Sequence, residues 1–218
     1  MKRVIVICEG QTEKEFCAKT LVPEFVTRNI FIQSPLIKKS MGGIVKWTEL
    51  KKQIHLHLKT DPTAFVTTLI DYYGLYAKYE FPGWDDSLKI VDKNSRMDFL
   101  ENAMSLDIDD AFRYRYLPYI QLHEFEGLLF NDIRIFYEQI PENQLVGKKE
   151  LIKTFAEFEN PEMINDTKVT SPSHRLNRII NRYHKIVYGN VLAEAIGLKA
   201  MRSKSPRFND WLCKIENL

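Results

Sequence analysis

Three carboxylates occupy equivalent places in the chain: Glu9 after the apolar run 4–8, Asp71 after 65–70, and Glu124 after 117–122. If those runs are parallel strands, the acids project from one edge of a sheet. That edge, outside the strand carboxyl ends, is where open α/β sheets place ligands. Gathered carboxylates repel one another and lose solvation, and a hard divalent cation compensates both. Mg²⁺, or Mn²⁺ in its place, takes one or two protein carboxylates together with waters and substrate phosphates. Glu13 lies one turn into the segment after Gly10, and Glu126 alternates with Glu124 in extended chain, so both could join the set. Gly10 leaves room for close backbone approach beside Glu9. The plainer alternative is that acids follow strands because loops are polar and helix N-termini favour negative charge. Convergence in space separates the two.

Such acids need a sheet to hold them. Residues 3–8 are β-branched and almost wholly apolar, as in a strand buried on both faces of a parallel sheet. Thr12 and Glu15 have capping-box spacing, which predicts a helix starting there, and Pro23 should kink or end it. Residues 29–38 read as a second strand interrupted near Pro35, and Gly42-Gly43 as a loop. Trp47, Leu50, Ile54 and Leu58 recur at helical spacing until Asp61-Pro62. Residues 64–70 form the next strand. The long connection 72–95 carries Tyr72, Tyr73, Tyr76, Tyr79, Phe81 and Trp84, and 95–105 reads as helix. Residues 117–122 make a third core strand, with Pro118 near its start. From Asn131 only helical signals remain. Ser171 and Pro172 open a helix whose apolar face, Leu176, Ile179, Ile180, Tyr183 and Val187, continues to 187, and a last helix holds Trp211, Leu212 and Ile215. The expectation is an α/β fold with a mainly parallel sheet flanked by helices. Residues 1–130 would form the core and 131–218 a helical extension packed on it.

The stretch Val6-Ile7-Cys8-Glu9-Gly10-Gln11-Thr12-Glu13 resembles the first motif of Toprim domains, the metal-binding module of topoisomerases, primases and related nucleases. The ordered set Glu9-Gly10-x-Thr12-Glu13, Leu69-Ile70-Asp71-Tyr72-Tyr73-Gly74, His123-Glu124-Phe125-Glu126-Gly127-Leu128-Leu129-Phe130 and Pro206-x-Phe208-x-x-Trp211 resembles a bacterial Toprim-like family, domain of unknown function 4276. That resemblance spans nearly the whole chain and implies a Toprim-like, Rossmann-like core. It implies Glu9 as metal ligand or general acid/base, and Asp71 as the first aspartate of an Asp-x-Asp metal motif. Tyr73 stands where the second aspartate would be, and Glu124 or Glu126 could supply the missing oxygen. His123 could orient a carboxylate or a water.

Arg175, Arg178, Arg182 and Lys185 fall within an arc of about 80° if one helix carries them all. A basic stripe beside a carboxylate site could hold a phosphodiester backbone as a phosphate-binding surface, or be simply a solvated face. The aromatics after Asp71 could stack on bases or pack under their loop. The chain has 218 residues, with 31 Lys plus Arg against 29 Asp plus Glu, so nothing global points to nucleic acid or membrane and any such surface must be local. No apolar run approaches the roughly 20 residues of a spanning helix. Cys8, Cys17 and Cys213, scattered and without CxxC spacing, read as free thiols of a reducing cytoplasm. Neither a GxSxG nor a Walker A pattern is present, which disfavours an acyl hydrolase and a self-contained ATPase.

Two expectations follow. The first is a Mg²⁺- or Mn²⁺-dependent phosphodiester-cleaving enzyme acting on DNA or RNA. Glu9, Asp71 and Glu124 would be central, Glu13 and Glu126 supporting, and Arg175 or Lys185 would stabilise developing charge. The second is a catalytically degraded binding module. The resemblance suggests that it would act with a separately encoded ATPase of a defence-type system.

Overall fold

The computed structural model describes residues 2–38, 43–165 and 167–218; Gly42, half of the expected Gly42-Gly43 loop, lies outside them. Strand β1 (Lys2–Cys8) pairs in parallel with β2 (Ile30–Gln33) on one side and β3 (Ala64–Asp71) on the other. Beyond β3 lie β4 (Tyr116–Leu117) and β5 (Ile120–Gln121), both parallel to it, giving a five-stranded sheet. The single strand expected over 117–122 is thus two pieces. Pro118 has no N–H to donate to the ladder. The Thr68 hydroxyl fills the gap, accepting from Tyr119 N at 3.0 Å and donating to Tyr119 O at 2.8 Å.

Alternation along β1 divides the core. Ile5 and Ile7 face the layer of Leu50, Ile54, Met97 and Leu100, from the helices Trp47–Thr60 and Lys93–Asp107. Val4, Val6 and Cys8 face Phe16, Phe25 and the carboxyl-terminal helices. Burying a Val or Ile side chain this completely contributes about 1.5–3 kcal/mol, and the cover on both faces explains the unbroken apolar run. The result is an α/β, Rossmann-like arrangement with helices on both sides of a mostly parallel sheet.

Two helix expectations near the amino terminus are corrected. The helix Gln11–Phe16 starts from Gly10 with no side-chain cap. Glu15 is taken by Gln11 Nε2 at 2.7 Å. Thr12 is buried against Gly189, where an added Cβ would meet Thr12 Cγ2 at 3.1 Å. Nor does Pro23 end the helix. A π-helical turn, Cys17–Leu21, widens the chain ahead of it, and Val22–Val26 continues.

The connection after Asp71 is built of short turns, Tyr72–Gly74 and Ala77–Tyr79, and the helix Trp84–Ser87. Its aromatics pack: Phe81 lies 5.5 Å from Trp47 and Tyr72 6.0 Å from Trp84, between ring centroids. In the carboxyl-terminal part, the last helix (Pro206–Glu216) reaches the sheet through Trp211. Its ring stacks on Tyr119 at 4.5 Å, and its Nε1 donates to Thr67 Oγ1 at 2.9 Å. Glu162, fully buried, caps this helix by accepting from Arg207 N and Phe208 N. Among the described residues, no helix is long and apolar enough to cross a membrane.

Candidate metal centre

The parallel register of β1 and β3, with Cys8 opposite Leu69, delivers Glu9 and Asp71 to the same sheet edge. Glu9 N donates to Leu69 O at 3.1 Å, and Glu9 Oε2 accepts from Asp71 N at 2.9 Å. Asp71 Oδ1 in turn accepts from Phe125 N at 2.8 Å, tying the third strand end into the site. The chain passes close by at Gly74, where a Cβ would stand a tight 3.3 Å from Glu9 Oε1.

Glu13 projects from the helix after Gly10, where a Cβ would meet Glu13 Oε2 at 2.9 Å. Glu126 lies in the turn Phe125–Leu129 with its side chain 0% exposed. Lys185, first residue of the helix Lys185–Ile196, places Nζ 3.0 Å from Glu126 Oε1 and 3.6 Å from Glu13 Oε1. Despite that proximity, neither oxygen of Glu126 has an aligned hydrogen bond. The hydroxyl of Tyr183 is also buried and without a partner.

The electrostatics follow from crowding. Burial pushes the Glu9 carboxyl up to about 7, opposed by the Asp71 amide and reinforced by Glu13. Burial and then Glu9 raise Asp71 well above the usual carboxylate range. Burial also brings Glu126 to about 7, with Lys185 opposing and Glu13 adding. Burial alone would lower Lys185, but the charges of Glu126, Glu13 and Asp71 outweigh it and hold the ammonium. Withdrawn from water and crowded together, Glu9, Asp71 and Glu126 hold their protons to higher pH than free carboxyls do.

Glu124 does something else. Both its oxygens are taken by Ser173, from N at 2.8 Å and from Oγ at 2.9 Å, at the start of the helix Pro172–Ile179. His123, at φ 65°, contacts Lys93 Nζ at 3.3 Å and Asn165 Nδ2 at 3.2 Å. Burial, then Lys93, depresses its ring to about 3, so it is neutral. The backbone N of Tyr73 donates to His123 O at 2.9 Å.

The basic residues do not form one stripe, because the helix expected to run to 187 stops at Ile179. Ile180 pairs with Leu145, Asn181 N donates to Gln144 O, and Arg182 turns the chain at φ 56°. Arg175 is buried, holding Thr170 O and Thr154 Oγ1. Arg178 pairs with Glu150, and Arg182 is exposed. Of the four, Lys185 reaches the acids. It lines a cleft of about 490 Å³ with Glu9, Glu13, Gln11, His184 and Ile186.

Among the described residues, no group of three or more His, Cys, Asp or Glu side chains is arranged so as to hold a metal ion. In chemistry, though not in arrangement, the donors suit a hard cation: carboxylate oxygens from three strand ends, with Glu126 buried, its Oε1 ion-paired to Lys185 and its Oε2 without a hydrogen bond. Sequence reasoning did not find Tyr183 at this cluster, nor Lys185 as the partner of Glu13 and Glu126. The signal missed was the helix break after Ile179.

The family model described as Domain of unknown function (DUF4276) matches residues 8–216, and the chain belongs to that family. No curated protein and no solved structure matches it.

Proposed function

We propose that this member of the DUF4276 family is a Mg²⁺- or Mn²⁺-dependent, Toprim-like phosphodiester-cleaving enzyme acting on DNA or RNA. The observation that carries this reading is the gathering of Glu9, Glu13, Asp71 and Glu126 at one sheet edge, where, among the described residues, Lys185 alone pairs with the buried Glu126 and Glu126 Oε2 has no hydrogen bond. Glu9, Asp71, Glu13 and Glu126 would hold the ion. When bound, it supplies charge neutralisation and Lewis-acid polarisation of the phosphodiester. The chain's own groups do the rest. The Asp71 amide fixes the Glu9 carboxylate, and the Phe125 amide fixes Asp71, so the oxygens are oriented before substrate arrives. The neighbouring cleft admits a phosphodiester beside them. Lys185, drawn off the acids, has the charge to stabilise a phosphorane-like transition state.

A second reading is favoured by one observation. Tyr73 occupies the place of a second motif aspartate, and its backbone is tied to His123, so that oxygen is lost. On this reading the site is a binding module serving a separate ATPase. Cleavage of single- and double-stranded DNA and RNA with Mg²⁺ or Mn²⁺ decides. Glu9→Ala and Asp71→Ala should each lower the rate by about 100-fold or more. Activity surviving both substitutions contradicts the metal mechanism. Absence of cleavage by the wild type on every substrate favours the binding module.

A further inference from the structure

Lys185 is an odd resident of this site. It sits in the first turn of its helix, the positive end of the macrodipole, where a cation is disfavoured. It is held there by acids from elsewhere: Nζ lies 3.0 Å from Glu126 Oε1 and 3.6 Å from Glu13 Oε1. The position between two carboxylates on separate elements is the one a bound cation would take. Yet the ammonium does only half of that work. It compensates charge, while both buried oxygens of Glu126 remain without an aligned hydrogen bond. A coordinating ion would use those lone pairs.

The side chain also has somewhere to go. It is 45% exposed, it borders the open cleft, and His184, Ile186 and Val187 around it are exposed. Its partners are not free to move: Glu126 is enclosed and Glu13 is 2% exposed.

We propose that Lys185 is a tethered counter-cation that closes the acid cluster in the metal-free protein, and that a divalent ion binds by displacing its ammonium into the cleft. This rests on the metal reading above and adds to it an exchange, one held charge for another. Metal affinity is set by competition with Lys185, and the released ammonium becomes available to the substrate phosphate in the same event.

The test reads binding, not cleavage. Mn²⁺ titration by calorimetry compares wild type with Lys185→Met and Lys185→Gln, with circular dichroism confirming that each variant is folded. Removing the competing charge should tighten Mn²⁺ by about tenfold or more. In the wild type, acetylation of Lys185 by acetic anhydride, followed by peptide mass spectrometry, should rise severalfold on adding Mg²⁺, because an ion-paired ammonium is protected. Saturable Mn²⁺ binding that is unchanged or weaker in folded variants overturns the displacement and leaves the metal site standing. If neither variant folds, the labelling decides: no change on saturating Mg²⁺ overturns the displacement. No saturable binding in any protein overturns the metal reading and this inference with it.

Discussion

At the scale of single residues, burial and mutual repulsion dominate the site. Glu126 has its pKa raised to about 7 from an ordinary 4.5, with burial the leading cause. Between those values the folded protein holds a proton that the unfolded chain has lost, so this residue's contribution to stability falls as pH rises from about 4.5 to 7. His123, depressed to about 3, gives the opposite slope below its ordinary 6.5, and comparing variants cancels that background. The melting midpoint of Glu126→Gln minus that of wild type, measured with a chelator present, should therefore increase from pH 5 to pH 8. Mg²⁺ should remove the wild-type deficit at pH 8. A difference that stays flat with pH would mean Glu126 ionises as freely as in water.

Elements place these residues through their ends. Glu124 bridges to Ser173 and so fastens the helix Pro172–Ile179 to the turn that carries Glu126. Ser173→Ala removes one of the two bonds, and thermal unfolding should show a loss of about 1 kcal/mol. Metal binding should be little affected if Glu124 is a fastener. A large loss of Mn²⁺ affinity in that variant would instead return Glu124 to the ligand set. The strands bearing Glu9 and Asp71 were legible in the sequence, because a strand covered on both faces must read as a continuous β-branched run. The division at Pro118 was less so. The missing donor could be seen, but the Thr68 hydroxyl that compensates for it bonds Tyr119 from 51 residues away in sequence. The break after Ile179 was invisible for the same reason. Helical periodicity continued through it, and the competing partners, Leu145 and Gly147, belong to another segment. That periodicity puts Lys185 in a stripe on one helix, whereas it opens the next.

For the whole molecule, the sheet edge is a workable site only while both layers hold. The last helix grips the sheet by Trp211, stacked on Tyr119 and bonded to Thr67. Trp211→Ala should cost about 3–5 kcal/mol in denaturant unfolding, since it removes a 2% exposed ring from the core. A cost below about 1 kcal/mol would show that the carboxyl-terminal helices pack independently of the sheet. The fold class could be read from the pattern of strands and helices. That both parts share one apolar core could not, because Phe16 and Phe208 lie far apart in the chain and 6.1 Å apart in space. What the fold accomplishes is to bring acids from three strand ends to one sheet edge, which the proposed function makes a cation seat. Crystals soaked in Mn²⁺ and measured at the manganese absorption edge test that directly. The account predicts an anomalous peak within coordination distance of carboxylate oxygens from Glu126 and at least one of Glu9, Glu13 and Asp71, with Lys185 turned away. Manganese confined to exposed surface carboxylates, with Lys185 still seated between Glu13 and Glu126, would contradict it.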